Sequence, residues 1–402
     1  MSAPSDDGRG TPDVVFVSHE ATRTGAPLML LYVLRWLRDH SELRFEVLLL
    51  EGGAIEADFA AVAPTTVVAD IGPGRLDGVA RRFGAHRLAD RLHERRRRAA
   101  LAPLRGASLV YCNVLESLAA LPLLDPGPPD RVVVTHIHEM RAAFRALAPA
   151  ARAQLRRSDR FVAASDLVRE LAIDHFGIDP ERIVRHYECI DVEALHATPP
   201  PAEAVEAARR SCGIPVGAPV VGAVGVTGWR KGPDLFVLLA DHLHRREATR
   251  DVHFVWLGAD PEAPETRSLR RDVERAGLAD VVHFVAPEPA PGRWFALFDV
   301  FTLTSREDPF PLVCLESSLL GTPIVCFANT GMAEFAGEGE CGFMVDYLDV
   351  EAMAARVTDL LEDPDRRAEV GRRASERVQR EFDYRVAAPL LAADIERWRP
   401  RR

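Results

Sequence analysis

Lysine is nearly absent from this sequence: 49 of the 50 basic residues are arginine, and the single lysine is Lys231. A positive net charge is absent too, because 60 acidic residues leave the 402-residue chain with a formal charge of -10. A general nucleic-acid-binding protein needs a basic face to neutralise phosphates, so that class is excluded. The apolar runs, such as residues 28–34 and 220–226, are far shorter than the roughly 20 residues that cross a bilayer. We therefore expect a globular chain that neither binds nucleic acid nor spans a membrane.

The six cysteines show neither C-x-x-C spacing nor the density of a disulfide-rich domain. The polar first residues lack the features of a secretion signal, so we expect the chain in the reducing cytoplasm. Residues 1–11 are expected to form a disordered tail. No spacing of His, Cys, Asp or Glu matches a metal site, and no metal is expected.

Short valine-rich runs alternate with longer helical patterns along the chain, which is typical of parallel sheets built from βαβ units. The alternation restarts at residue 220, after three consecutive prolines, Pro199, Pro200 and Pro201. The sequence therefore predicts an α/β protein with two doubly wound parallel sheets, joined by a stiff linker over residues 197–204. The predicted strands cover residues 14–18, 45–50, 66–69, 109–112, 132–136, 161–164 and 183–185 in the first half, and 220–224, 253–257, 281–284, 300–304 and 324–327 in the second.

The loop after the first predicted strand is a candidate anion-binding site. In doubly wound sheets, ligands bind beyond the carboxyl ends of the strands, where helix amino termini present free N–H groups. Gly25 in this loop allows the backbone to approach a ligand closely, and Pro27 suits the start of the helix that follows. The pattern alone is weak, since any loop between a strand and a helix can contain Gly and Pro.

The first strand of the second half is followed by glycines at G-x-x-G-x-x-G spacing over residues 222–228. A dinucleotide fingerprint has G-x-G-x-x-G and an acidic residue about 20 positions later, so a nicotinamide enzyme is disfavoured. The adjacent Arg230 and Lys231 stand just before a helix and suit a diphosphate, because lysine offers a compact charge and arginine a bidentate fork. The alternative is a solvent-exposed basic pair. The position of the single lysine favours the diphosphate site.

Asp308 and Glu316 follow the predicted strand at 300–304 and stand eight residues apart. The two prolines between them predict an extended turn before a helix that begins near Leu312. Asp308 would then lie in the loop and Glu316 just over one turn into the helix, so that both carboxylates can face one cleft and bind sugar hydroxyls. Equally, Asp308 can cap the helix while Glu316 forms a surface salt bridge.

Residues 81–105 form a strongly basic segment, with nine arginines against Asp90 and Glu94. Such a segment can hold an anionic acceptor or make peripheral contact with a membrane surface. A solvated basic helix is the simpler interpretation.

Residues 305–316, followed by Gly-Thr-Pro-Ile-Val, resemble the signature of the family-4 glycosyltransferases (glycosyl transferases group 1). These are retaining enzymes of the GT-B fold that use nucleotide-sugar donors. The resemblance covers residues 14–391 in the family's order, since the loop at 19–27, the Arg230-Lys231-Gly232 turn, His138 and the loop at 329–334 also match. It implies a Rossmann-like acceptor-side domain over residues 12–197 and a nucleotide-sugar-binding domain over 198–385. A C-terminal helix over residues 386–402 would pack back on the first domain.

The resemblance also implies roles for single residues. Gly25, Arg230 and Lys231 would bind the donor diphosphate, Glu316 the ribose, and Asp308 the donor sugar. His138 and Asp308 would be the catalytic residues, with His138 near the reacting carbon. The remaining matches are Pro309, Phe310, Pro311 and Leu312 at the donor ribose and sugar, and His19, Glu20, Thr24 and Glu139 on the acceptor side. Many members of the family have glutamate, one methylene longer, where this chain has Asp308.

The implied reaction transfers a sugar from a nucleoside-diphosphate sugar to a hydroxyl of a small-molecule, glycan or lipid-linked acceptor, with retention and without a metal or other cofactor. Three alternatives stay open. A sugar-nucleotide isomerase or epimerase can share the fold, and a phosphorylase of this fold would need Lys231 to hold pyridoxal phosphate. A sugar-nucleotide-binding protein would keep donor affinity without turnover. No motif fixes the base, the sugar, the acceptor or the oligomeric state.

Overall fold

The computed structural model of the chain describes residues 11–72, 82, 85–197 and 199–400. They form two compact units. Unit 1 comprises the residues up to Ala163, Ala172–His186 and the residues from Ala388 onward, and unit 2 comprises Ala164–Leu171 and Tyr187–Ala387. All of the predicted tail except Thr11, and residues 81, 83 and 84 of the basic segment, lie outside the described residues.

Unit 1 is built on a parallel sheet of seven strands in the order β3-β2-β1-β4-β5-β6-β7. Its central strands are nearly continuous apolar runs, because helices cover both faces of a parallel sheet and leave few positions for polar side chains. All five residues of β1 are buried. The strands are β1 (Val14–Ser18), β2 (Phe45–Leu49), β3 (Thr65–Val67), β4 (Leu109–Cys112), β5 (Val132–Ile137), β6 (Arg160–Ala163) and β7 (Ile183–Arg185).

Unit 2 is built on a parallel sheet of six strands in the order β10-β9-β8-β11-β12-β13. Its core packs the apolar faces of the covering helices on these strands, with Phe236, Phe254 and Trp256 among the fully buried rings. The strands are β8 (Val220–Val224), β9 (His253–Leu257), β10 (Val282–Val285), β11 (Val300–Leu303), β12 (Ile324–Phe327) and β13 (Gly342–Val345).

The helices alternate with the strands as the sequence predicts. Capping side chains fix two of the starts, since Asp349 accepts the N–H of Ala352 at 2.8 Å and Asp363 that of Arg366 at 2.9 Å. The helices are α1 (Gly25–His40), α2 (Glu56–Val62), α3 (His86–Ala100), α4 (Arg141–Ala146), α5 (Pro149–Gln154), α6 (Asp166–Phe176), α7 (Val192–Ala197), α8 (Ala202–Ser211), α9 (Pro233–His244), α10 (Pro264–Arg275), α11 (Gly292–Phe295), α12 (Leu312–Leu319), α13 (Ala333–Ala336), α14 (Val350–Glu362), α15 (Pro364–Glu381) and α16 (Tyr384–Trp398). None of the helices in the described ranges has the length and apolar character needed to cross a bilayer.

The prediction of two doubly wound parallel sheets is confirmed, and each of the twelve predicted strands is present with ends shifted by two residues at most. β13 is the strand that the sequence interpretation missed. It has only four residues and its Met344 is partly exposed at the sheet edge, so its apolar pattern is short and interrupted. Pairing with β12 through Ile324 and Val325 makes it a strand.

The predicted linker is shorter than expected, because α8 begins at Ala202 with Pro201 as its N-cap. The proline-rich segment also lies inside unit 2 and not at the division between the units. The residues before it belong to unit 2 through their contacts: Ile190 pairs with Asp383, and the ring of Tyr187 stacks on Phe310 at 4.9 Å.

Each sheet has a point where the strand order reverses. In unit 1 the chain builds outward from β1 to β3 and then returns to place β4 on the other side of β1. In unit 2 it builds from β8 to β10 and returns to place β11 beside β8. The loops that follow these central strands diverge to opposite sides and leave a crevice at the carboxyl edge, where ligands bind in doubly wound folds. A ligand site in either unit is therefore expected at the two loops that border this crevice.

Candidate functional site

At the reversal point of unit 2, the loop after β8 packs tightly against the end of β11. Trp229–Lys231 form one 3-10 turn, and Gly232 then takes a left-handed conformation with φ 68° before Pro233 starts α9. A side-chain carbon at Gly232 would lie 2.1 Å from the carbonyl oxygen of Thr304. Glycine is thus required here for both its backbone conformation and its lack of a side chain.

Hydrogen bonds join this loop to the loop after β11. The N–H of Arg306 donates to the carbonyl of Arg230 at 2.8 Å, and the Thr304 hydroxyl donates to the carbonyl of Gly232 at 2.9 Å. On the far side, Asn329 Nδ2 donates to the carbonyl of Arg306 at 2.7 Å. The backbone of the Arg230-Lys231 turn is therefore held at fixed points along the neighbouring loop.

Lys231 and Asp308 form an almost buried ion pair. Lys231 Nζ donates to Asp308 Oδ2 at 2.7 Å, and their side chains are 14% and 4% exposed. The Ser305 hydroxyl donates to the same oxygen at 2.9 Å, while Arg230 Nη1 lies 3.7 Å from Asp308 Oδ1. The Arg230 guanidinium remains 44% exposed and donates to the carbonyl of Glu307. One carboxylate thus faces two cations, Arg230 and Lys231.

Arg306 lies beside Arg230 and Lys231, but its side chain is bonded to other groups of the protein. Its guanidinium donates to both oxygens of Asp234, at 2.8 and 2.6 Å, and to the carbonyl of Trp229 at 2.9 Å. It also lies over the Trp229 ring, 5.3 Å from the centroid. The hydrogen bonds from Arg306 lower the pKa of Asp234, so the pair stays ionised. The sequence interpretation missed this residue, because one arginine among 49 carries no signal of its own.

Glu316 lies in α12, as predicted, and Asp308 lies in the preceding loop. Burial raises the pKa of the Cys314 thiol, the carboxylates of Asp308 and Glu316 add to the rise, and Lys231 opposes it. Glu316 lies just over one turn into α12 and is partly exposed.

Phe310 and Leu312 are apolar residues of the assigned donor site, and both are buried. Phe310 is 2% exposed, and its ring packs against those of Tyr187 and Phe382, with centroids 4.9 and 5.5 Å away. Leu312 is 6% exposed. The extended turn carries these two side chains into the core, and the predicted contact of Phe310 and Leu312 with the donor ribose and sugar stays a prediction. Pro309 and Pro311 shape the turn, and its backbone remains the part that can meet a ligand.

At the reversal point of unit 1, the loop after β1 is tied together by short polar contacts. His19 Nε2 lies 3.3 Å from Glu20 Oε1, and the Thr22 hydroxyl donates to Glu20 at 2.6 Å and lies 2.9 Å from that of Thr24. Thr24 is the N-cap of α1, and Gly25 is its exposed first residue, as a site at a helix amino terminus requires.

Asn113 is a residue of this edge that the sequence interpretation missed. It is fully buried directly after β4, and its Nδ2 donates to the carbonyl of Ala26 at 2.8 Å. This bond crosses the reversal point and holds the start of α1 against the neighbouring strand. A polar residue that ends a buried strand was the signal that could have found it.

His136 and His138 point from the same face at the end of β5, with ring centroids 3.8 Å apart. His136 is fully buried and its Nδ1 shares a 2.8 Å hydrogen bond with the hydroxyl of Tyr111. Burial lowers the pKa of His136 well below its usual range, and His138 adds to this. His136 is therefore a neutral support beneath His138.

The carboxyl group of Glu139 accepts hydrogen bonds from backbone N–H groups. It accepts the N–H of Leu115 and the N–H of His138, both at 2.8 Å. Burial, with a smaller contribution from the Glu116 carboxyl, raises the pKa of Glu139 well above its usual range. Glu139 thus fixes the turn that carries His138, and its predicted contact with an acceptor stays a prediction.

The described part of the basic segment is mainly α3, of which only Ala89 is buried. Arg87, Arg91, Arg95 and Arg98 are exposed, and their spacing places them on one face of the helix. Arg98 pairs with Glu94 at 2.9 Å. A contact of this face with a membrane or an anionic acceptor stays a prediction. Across the described residues, no group of three or more His, Cys, Asp or Glu side chains is placed to hold a metal ion.

Residues 204–377 match the family described as Glycosyl transferases group 1. The chain is 30% identical over 223 residues to the D-inositol 3-phosphate glycosyltransferase of Corynebacterium aurimucosum, covering 54% of this chain and 52% of the relative. It is 31% identical over 241 residues to D-inositol 3-phosphate glycosyltransferase 2 of Catenulispora acidiphila, covering 58% of this chain and 55% of the relative. The chain thus spans about half the length of the curated relatives it matches.

Solved structures resemble this chain over nearly its whole length. Anabaena Alr3699/HepE, crystallised with UDP and glucose, superposes with a TM-score of 0.77 at 19% identity, covering 96% of this chain and 99% of that one. WaaG, a glycosyltransferase involved in lipopolysaccharide biosynthesis, superposes with a TM-score of 0.70 at 16% identity, covering 95% and 99%. These likenesses show the fold, which is GT-B with two Rossmann-like parallel-sheet domains, and the resemblance noted from the sequence is confirmed.

Replacing Gly232 by alanine should strongly destabilise unit 2. A left-handed conformation costs a residue with a side chain about 1–2 kcal/mol, and displacing the Thr304 carbonyl should add roughly 1–3 kcal/mol. Gly277→Ala is the matched control, because Gly277 has φ 72° but open space around it. Thermal unfolding should show a clearly larger loss for Gly232→Ala. Equal losses for the two variants would contradict the close approach to Thr304.

His136 should make the stability of unit 1 depend on pH. The pKa of His136 is lowered in the folded state, so below about pH 6.5 the unfolded chain takes up a proton that the folded chain does not. The stability of unit 1 therefore decreases as the pH is lowered. In His136→Asn, the slope of unfolding free energy against pH below 6.5 should be smaller by up to about 1.4 kcal/mol per pH unit. Tyr111→Phe, which keeps the buried histidine, should lower stability but keep the slope. An unchanged slope in His136→Asn would contradict its burial as a neutral group.

Proposed function

We propose that this chain transfers a sugar from a nucleoside-diphosphate sugar to an acceptor hydroxyl with retention of configuration, and the match of residues 204–377 to the family described as Glycosyl transferases group 1 supports the proposal. The observation that carries the proposal is the Arg230-Lys231 turn, fixed at the reversal point of the unit 2 sheet directly before α9. A diphosphate needs fixed cations at one place, and this turn supplies two of them, Arg230 and Lys231.

The charge balance of the turn suits a leaving diphosphate. As the bond to the sugar breaks, negative charge gathers on the departing phosphate, and cations fixed there stabilise the transition state more than the ground state. Lys231 is held by Asp308, and Arg230 is half-exposed on the same turn. Both are in place before the donor arrives, so little reorganisation is needed during the reaction.

Glu316 is the proposed ligand of the donor ribose, and the backbone of residues 309–311 the proposed boundary of the sugar. A carboxylate accepts hydrogen bonds from two neighbouring hydroxyls, as a ribose presents them. The solved neighbours support the donor class, since Anabaena Alr3699/HepE was crystallised with UDP-glucose. The relatives named for D-inositol 3-phosphate support a polyol acceptor, whose hydroxyls the polar edge of unit 1 can bind.

The proposed reaction proceeds on one face of the sugar, with the leaving phosphate taking the proton of the acceptor hydroxyl. His138, supported from below by His136 and from its backbone by Glu139, is the proposed residue near the reacting carbon. No protein nucleophile or metal enters this scheme. An isomerase or epimerase would convert the donor alone, so incubation with and without an acceptor separates the alternatives.

The proposal is tested by the binding of nucleoside diphosphates and their sugars. Calorimetry with UDP, GDP and ADP and the corresponding glucose nucleotides should identify one base, and Lys231→Gln should weaken that affinity by roughly 10- to 100-fold, as for a lost hydrogen bond to a charged group. Arg245→Ala is the control, because it removes one cation from the far end of α9, about 18 Å away. No binding of any of these ligands to the unchanged protein, or full affinity in Lys231→Gln, would contradict the proposed site.

The role of His138 is tested by the division of its effect between binding and turnover. His138→Ala should lower kcat by about 100-fold or more and leave the affinity for the donor within a few-fold of its original value. His196→Ala, which removes an exposed histidine from α7, should leave both unchanged. Equal turnover of the His138 variant and the original protein would reduce His138 to a structural residue.

A further inference from the structure

The surroundings of Asp308 differ from those of a residue that binds a ligand. The residue is 3% exposed, and its Oδ2 already accepts hydrogen bonds from Lys231 Nζ at 2.7 Å and from the Ser305 hydroxyl at 2.9 Å. The other oxygen, Oδ1, faces the Arg230 guanidinium at 3.7 Å. Both oxygens of the carboxylate thus face polar groups of the protein.

The backbone on either side of Asp308 holds the side chain in this direction. The carbonyl of Asp308 accepts the N–H of Gly331 at 2.9 Å. A side-chain carbon at Gly331 would lie 1.6 Å from the carbonyl of Pro309, so the two loops are in direct contact. The loop at 329–331 therefore fixes the backbone of Asp308, and turning the carboxylate toward a ligand would break two hydrogen bonds, from Lys231 and from Ser305.

The length of the side chain points the same way. The family resemblance implies a longer glutamate at this position, in contact with the donor sugar. An aspartate is one methylene shorter, and here it reaches its lysine at an ordinary hydrogen-bonding distance without leaving the loop. The shorter residue is well placed to neutralise Lys231 and poorly placed to extend beyond it.

We propose that Asp308 is a positioning residue in this chain: it fixes Lys231 as the cation for the donor diphosphate, with Ser305 as its second anchor, and leaves the donor sugar to other groups. This inference rests on the proposed function. It replaces the sugar-contacting role that the resemblance implies for Asp308. Its consequence is that changes at Asp308 act on the diphosphate through Lys231 and are independent of the sugar.

The two roles separate when the same variant is measured with two ligands. One ligand is the nucleoside diphosphate that the unchanged protein binds, and the other is the corresponding glucose nucleotide. Asp308→Asn keeps the shape and a hydrogen-bond acceptor for Lys231 but removes the negative charge. The turn then carries two cations without a counter-ion, and a diphosphate should bind more tightly.

We expect Asp308→Asn to raise the affinity for both ligands by the same factor, about 3- to 10-fold. The ratio of the two affinities should stay unchanged. In a Lys231→Gln background the same substitution should have a clearly smaller effect on both ligands, because the cation that Asp308 holds most closely is gone and only Arg230 remains beside it. A loss confined to the glucose nucleotide would overturn the inference. An effect of full size in the Lys231→Gln background would overturn it as well.

Ser305→Ala is the second variant, since it removes one anchor of the carboxylate without changing any charge. It should alter the affinities for both ligands by one common, smaller factor, and it keeps the inference testable if Asp308→Asn folds poorly. A change with the glucose nucleotide alone would again overturn it. Absence of nucleotide binding in the unchanged protein would instead contradict the proposed function, so the two failures are distinguishable.

Discussion

The ion pair between Lys231 and Asp308 joins the two loops on which the candidate site of unit 2 depends. One loop follows β8 and the other follows β11, and they leave the sheet on opposite sides of the point where the strand order reverses. Loops that leave a sheet in different directions stay in contact only where specific interactions join them. Here a nearly buried salt bridge and the contact of Gly232 with the Thr304 carbonyl do so. A buried pair of this kind costs desolvation energy, which the hydrogen bond from Ser305 helps to offset.

In unit 1, the loops at the reversal point are held together by hydrogen bonds between neutral groups. Asn113 bonds the carbonyl of Ala26 across its reversal point, and Tyr111 supports His136 one strand further along. The polar side chains at this edge are thus fixed by one another before any ligand is present. Both units show the same principle: a buried layer of polar residues holds the residues that can meet a ligand. Preorganisation of this kind lowers the cost of binding and reaction.

The basic residues of the chain illustrate how similar charges take different tasks. Arg306 and Arg230 are close neighbours, yet the guanidinium of Arg306 donates hydrogen bonds to Asp234 and to the carbonyl of Trp229, while the side chain of Arg230 is half-exposed. Lys231 differs from both, since its compact ammonium group donates to an almost fully buried carboxylate at 2.7 Å.

The amino-acid sequence by itself determined the alternation of strands and helices, the two sheets, and the loops that can carry a site, because these follow from hydrophobic periodicity and from glycine and proline at element ends. It also predicted that Asp308 and Glu316 lie near each other, because they stand only eight residues apart with two prolines between them. Only the tertiary structure decided what the side chains do. Whether Asp308 faces a ligand or Lys231, whether Phe310 lines a pocket or fills a core, and whether Asn113 matters at all depend on residues far away in sequence. Those contacts form when strands that are distant in the chain become neighbours, and no local pattern encodes them.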